Sequence, residues 1–176
     1  MGKRTEEKWA MNFKQILEML YLADKYLTNG EIENFAKLMR NPLVFDNSVA
    51  DVLNPLPYYI EGVSGKTTSD HLIGMSNIVL YIIVNKIHHK WITVDDFIKT
   101  LKVMHTSIVV STYTNNCSTF KKGWLFGVDD INECIRWDNK LKSVGVTHLK
   151  SKINGDIVSV EDVWSEWYET HKESLV

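Results

Sequence analysis

The chain has 176 residues, 44% of them hydrophobic and 24% charged, enough apolar content for an ordinary core without metal or disulfide staples. The formal net charge of −2 argues against a protein that coats nucleic acid without regard to sequence, although a local basic patch remains compatible with a nuclease. Two cysteines, Cys117 and Cys134, form no CxxC pair, which fits buried thiols in a reducing compartment better than a secreted disulfide scaffold.

Met1-Gly2-Lys3-Arg4 is basic but is followed by Glu6, Glu7 and Lys8, so no secretory leader is expected. The longest apolar run, Ile78 to Val84, is far shorter than the ~20 residues of a membrane span. The expected location is therefore cytoplasmic, with no membrane partner.

Residues 5–28 place Phe13, Ile16, Leu17, Leu20, Tyr21 and Leu27 at helical spacing, with Asn29-Gly30 as the stop. A second helix is expected through Ile32, Phe35, Leu38 and Met39, ending before Pro42. The two read as an N-terminal helical hairpin over 1–41. Residues 41–57 hold Pro42, Pro55 and Pro57 among Asn and Asp and read as loop. Tyr58-Tyr59-Ile60 is a short β-prone run, and Gly62, Ser64 and Gly65 make a turn.

Residues 72–87 are apolar almost all round and predict a buried helix. Thr93 to Asp96 is a capping-box variant opening a helix through Phe97, Leu101 and Met104. Ser107 to Thr112 is β-branched and predicts a strand. Thr114-Asn115-Asn116 is a helix start, and Val128 to Trp137 predicts another helix. Ile157-Val158 reads as a brief strand, and Ser159-Val160-Glu161-Asp162 caps a last helix carrying Trp164, Trp167 and Tyr168. There is no internal repeat. The expected fold is α+β and predominantly helical, one domain over 1–176, with a small β-hairpin for the candidate site. Within it, 56–120 would form the core of that site and 128–176 a C-terminal helical region.

Gly65-Lys66-Thr67 has the ending of a phosphate-binding P-loop, but Ile60 stands where the pattern needs glycine. A turn with a surface lysine is the simpler reading. In Thr68-Ser69-Asp70-His71 a carboxylate sits beside an imidazole. The Asp70 oxygen suits a hard divalent cation. His71, left off the metal, suits a proton acceptor for attacking water. The cation would offset charge developing on a scissile phosphate. Asn116 or Asn115 would add a second, neutral oxygen ligand. The competing reading makes Asp70 a helix cap for a helix starting near His71.

The run Gly65 to Leu72, followed by Asp95, Asp96 and Phe97, then Thr106 to Thr112, then Asn115-Asn116, resembles phage-encoded endonucleases of the HNH, or His-Me finger, type. The resemblance spans roughly residues 60–120. It implies a metal-dependent DNA endonuclease hydrolysing phosphodiester bonds in the host cytoplasm. His71 would be the general base, and Asp70 with Asn116 or Asn115 would hold magnesium or manganese.

His88-His89 lie about 100° apart on a helix and so do not easily share one ion. With Lys86 and Lys90 they read as an exposed basic helix end. Lys66, Lys121, Lys122, Lys150 and Lys152, with Lys140 and Lys142, are candidate contacts to a nucleic-acid backbone. Scattered surface lysines are the bland alternative. Trp164 and Trp167 lie on one helical face, where packing is the default and base stacking the sharper reading. Two non-catalytic readings stay open. One is a small helical protein engaging a host protein through the N-terminal hairpin or the C-terminal helix. The other is a DNA-binding module without catalysis.

Overall fold

The computed structural model describes residues 6–45, 54–61, 63, 65–88, 90, 92–112 and 124–175. The fold is α+β and predominantly helical, with six α-helices and two three-stranded sheets among those residues.

Helices α1 (Glu6–Tyr26) and α2 (Asn29–Phe45) form the N-terminal pair. Phe13, Leu17, Leu20, Ile32, Ala36 and Met39 are buried, as their spacing predicts. α2 differs from expectation in running past Pro42 to Phe45. A proline there removes only one N–H near the helix end, where fewer turns depend on it.

The segment Asn54 to Tyr59 joins the two sheets. Its first part, β1 (Asn54–Pro55), runs parallel to the central strand β4 (Thr106–Ser111). Its second part, β2 (Tyr58–Tyr59), pairs antiparallel with β5 (His148–Ser151), which in turn pairs with β6 (Ile157–Ser159). On the other side of β4 lies β3 (Thr67–His71), antiparallel, with Asp70 opposite Ile108 and His71 opposite Ser107. β3 and β4 are joined through helices rather than by a tight turn.

The connecting helices form the centre of the core. α3 (Met75–Tyr81) continues into a π-helical stretch, Ile82–Ile87, and Ile78, Val79, Ile82 and Ile83 are completely buried. α4 (Val94–Met104) opens with the expected reciprocal cap: Thr93 Oγ1 accepts from the Asp96 N–H, and Asp96 Oδ2 accepts from the Thr93 N–H. Phe97, Leu101 and Met104 pack inward, and Phe13 meets Phe97 edge-on at 6.0 Å.

The expected helix Val128 to Trp137 is instead a 3₁₀ turn, Ile131–Ile135, followed by α5 (Trp137–Ser143). Arg136 lies between them at φ −79°, ψ 54°, outside the helical region. Its guanidinium binds the Asp138 carboxylate two residues ahead. α6 (Val160–Leu175) closes the chain, with Ser159 Oγ accepting from the Asp162 N–H at its start. Trp137 and Trp167 meet edge-on at 5.8 Å, so the inward tryptophan of α6 serves packing.

A single apolar cluster runs from Phe13 to Leu175 through all these helices. Among the described residues, no helix is long and apolar enough to cross a membrane.

Candidate functional site at the end of strand β3

Asp70 and His71 are the last two residues of β3, not a helix cap. The N-cap of the following helix is Gly74. β3 is an edge strand whose Thr67 and Ser69 face solvent, while its partner β4 buries Ile108 and Val110. Leu72 N–H still donates to Thr106 O at 2.9 Å, so the chain holds register one residue beyond His71.

Two side chains from other elements meet this strand end. Lys140, on α5, extends a buried amine that donates to His71 O at 2.8 Å and lies 3.5 Å from Asp70 Oδ2. Its side chain is 7% exposed and that of Asp70 25%, so the pair straddles the boundary between core and solvent. Burial holds the Lys140 ammonium below its ordinary pKa, and Asp70 partly offsets this. His105, the residue closing α4, packs its ring edge-on against His71 with centroids 5.2 Å apart. The next residue, Thr106, accepts through Oγ1 from Trp167 Nε1 at 2.9 Å.

Burial holds both histidines below the ordinary imidazole pKa. Burial lowers the His71 pKa, with Asp70 pulling it up and Lys140 pushing it down. His105 is wholly buried, and burial, with a smaller contribution from His71, drives its pKa down to about 3. Neither His105 ring nitrogen has a hydrogen-bond partner among the described residues. A buried imidazole without partners costs roughly 1–3 kcal/mol.

The donors for a divalent cation are not assembled by these residues alone. Among the described residues, no three His, Cys, Asp or Glu side chains converge as metal ligands. Asp70, the one carboxylate at the strand end among the described residues, already faces the Lys140 ammonium. Asn115 and Asn116 lie outside the described residues, as do Lys121, Lys122, Cys117 and His89. β4 leaves the pair with Ser111 opposite Thr67, at the end of β3 away from His71.

The remaining lysines are spread out. Lys66 is exposed at the start of β3. Lys150 and Lys152 belong to the second sheet, where Lys150 pairs with Glu61 at 3.2 Å and Lys152 donates to Leu56 O at 3.2 Å. Lys140, which belongs to the same sequence run, is buried at the site instead of exposed. His88 is exposed as expected and bonds Asp24 through Nδ1 at 3.0 Å, whereas Lys86 is buried. The placement of Lys140 was hidden from sequence reasoning. One signal existed: Lys140 falls between Trp137 and Leu141 on the inner side of α5.

The chain matches no family model, no curated protein and no solved structure.

Proposed function

We propose that the protein hydrolyses phosphodiester bonds in DNA, as a phage-type endonuclease with His71 as general base. The carrying observation is a half-buried, neutral imidazole at a strand end, backed by His105 and placed beside Asp70 and Lys140. A general base must be unprotonated at working pH, and burial supplies that for His71. His71 would take the proton of the attacking water. Lys140, fixed by His71 O and Asp70, would set a positive charge next to the reacting centre.

Magnesium or manganese belongs to the proposal only if Asn115 or Asn116 completes a ligand set with Asp70. The described residues do not make one, and no step is assigned to the ion. Exposed Lys66, just before the strand, would meet the nucleic-acid backbone. A nicking assay on supercoiled plasmid, at low salt with magnesium, manganese or EDTA, tests the reading. Cleavage of plasmid or single-stranded DNA is expected, with the metal requirement read from the EDTA lane. If DNA is neither cut nor bound under any of these conditions, the reading fails.

A second reading, a protein partner such as a host factor, rests on a separate surface. Met19, Leu22 and Tyr26 are 44%, 57% and 68% exposed and recur at helical spacing along α1. An apolar stripe of this kind suits a helix-in-groove contact.

A further inference from the structure

Helix α1 carries two apolar faces. One sets Phe13, Ile16, Leu17, Leu20 and Ala23 into the core, against α2, α4 and the π-helical stretch. The other points outward and consists of Gln15, Met19, Leu22 and Tyr26, all exposed. Their spacing is four, three and four residues, the seam spacing of a coiled coil. More than half of the Leu22 and Tyr26 surfaces is in water. Single exposed apolar residues are ordinary, but a contiguous stripe marks a contact surface.

The flanks of the stripe say what fits on it. Along one side stand Glu18 and Lys25, both exposed and seven residues apart. Along the other stand Ile16 and Ala23, buried in the chain's own core. A partner helix can therefore be matched in charge along one flank only. A parallel copy would set this charged flank against the apolar flank of its partner, and the charges would go unanswered. An antiparallel copy sets the charged flanks against each other in opposite order, so that Glu18 of each copy meets Lys25 of the other. The two-fold axis makes that pair twice.

The same register places Met19 beside Leu22 of the second copy, and Gln15 beside its Tyr26. The Gln15 carboxamide can there hydrogen-bond the tyrosine hydroxyl at the end of the seam. Lys14, also exposed, stands a turn further from the two-fold axis than Glu18. Lys25 Nζ lies 5.1 Å from the centre of its own Tyr26 ring, a face contact that an ion pair can share.

We infer that α1 docks antiparallel on α1 of a second copy of this chain, with Met19, Leu22 and Tyr26 in the seam and Glu18 paired to Lys25 across it. The stripe is complementary to itself, since apolar layers and opposite charges coincide in one register. The inference rests on the α1 surface of the protein-partner reading, whose partner it specifies, and is independent of hydrolysis at β3.

Sedimentation velocity of the full chain, from about 5 to 500 µM, tests it. So short a seam is a small interface, and a reversible dimer with a Kd of roughly 10–200 µM is expected. Leu22→Glu, at an exposed position, should leave the protein monomeric over the whole range with an unchanged circular dichroism spectrum. Glu18→Lys and Lys25→Glu should each weaken the dimer about fivefold or more, because each reversal creates two like-charge contacts. The double variant Glu18→Lys/Lys25→Glu restores both pairs and should return to within about twofold of the wild type. Unspecific apolar adhesion would show no such recovery. A wild-type monomer at every concentration would overturn the inference and leave the stripe to a different protein, so that the inference can fail while the protein-partner reading stands. A dimer that survives Leu22→Glu, single reversals without effect, or a double variant as weak as the single ones would overturn it too.

Discussion

Helix α5 takes part in two carboxylate–lysine arrangements that differ in chemistry. Asp138 is wholly buried and receives Arg136 through two hydrogen bonds of 3.0 Å, with Lys142 Nζ at 3.0 Å from Oδ2. Burial pushes the Asp138 pKa up, but the bonds from Arg136 and Lys142 outweigh it and leave the carboxyl below its ordinary value. Every oxygen there is answered, and the cluster ties α5 to the preceding turn. At the strand end, Asp70 has one ammonium at 3.5 Å and keeps a quarter of its side chain in water. Behind it sits His105 with two unanswered nitrogens. The saturated cluster stabilises. The strand-end cluster meets solvent through Asp70.

The comparison can be broken from either side. Asp138→Ala should be the most damaging change, lowering stability by about 2–3 kcal/mol in urea unfolding. Wholly buried pairs lose ~3–5 kcal/mol, but Arg136 and Lys142 keep a third of their surface in water, which softens the loss.

Acid should act mainly through the other cluster. His105 is depressed to about 3 from 6.5, so the unfolded chain takes up its proton first. Stability is then complete above about pH 6.5 and declines as pH falls toward 3. The expected cost at pH 4 is roughly 3–3.5 kcal/mol from this residue, at ~1.4 kcal/mol for each pH unit below 6.5. His105→Leu should flatten the Tm-against-pH curve between pH 6.5 and 4. An unchanged slope would remove His105 as its cause.

Lys140→Met sharpens the contrast, because it separates stability from chemistry. Replacing the amine by a stem of similar shape leaves His71 O unanswered and should cost about 1 kcal/mol. The cleavage rate should fall by about tenfold or more through loss of the charge beside Asp70. Equal cleavage in the variant would make Lys140 purely structural. Trp164→Phe should have the smallest effect, about 0.5–1 kcal/mol, from the lost bond to Ile135 O and the weaker contact with Arg136.

Much of the fold was legible because its signals are local. The helical spacing from Phe13 to Leu27, the Thr93–Asp96 cap and the Ser159–Asp162 start all appear as read. Thr68 to His71 was ambiguous for a physical reason. Thr, Ser and Asp favour helix caps as readily as they fit an edge strand, and the choice was made by pairing with β4, some forty residues away. The break at Arg136 was missed because buried Ile131, Cys134 and Trp137 keep a helix-like spacing across it. At the candidate site, Asp70 and His71 were legible as a pair. The cation beside them was not, because Lys140 reaches them from about seventy residues away. Its neighbours Lys142, Lys150 and Lys152 are surface lysines bonded to other groups.

The account stands most directly on His71 as the proton acceptor. The decisive measurement is the plasmid-nicking rate of the wild-type protein beside His71→Ala, at equal concentration and with matching circular dichroism spectra. The account predicts cleavage by the wild type and a loss of about 100-fold or more in the variant. Equal rates in the two proteins would contradict it.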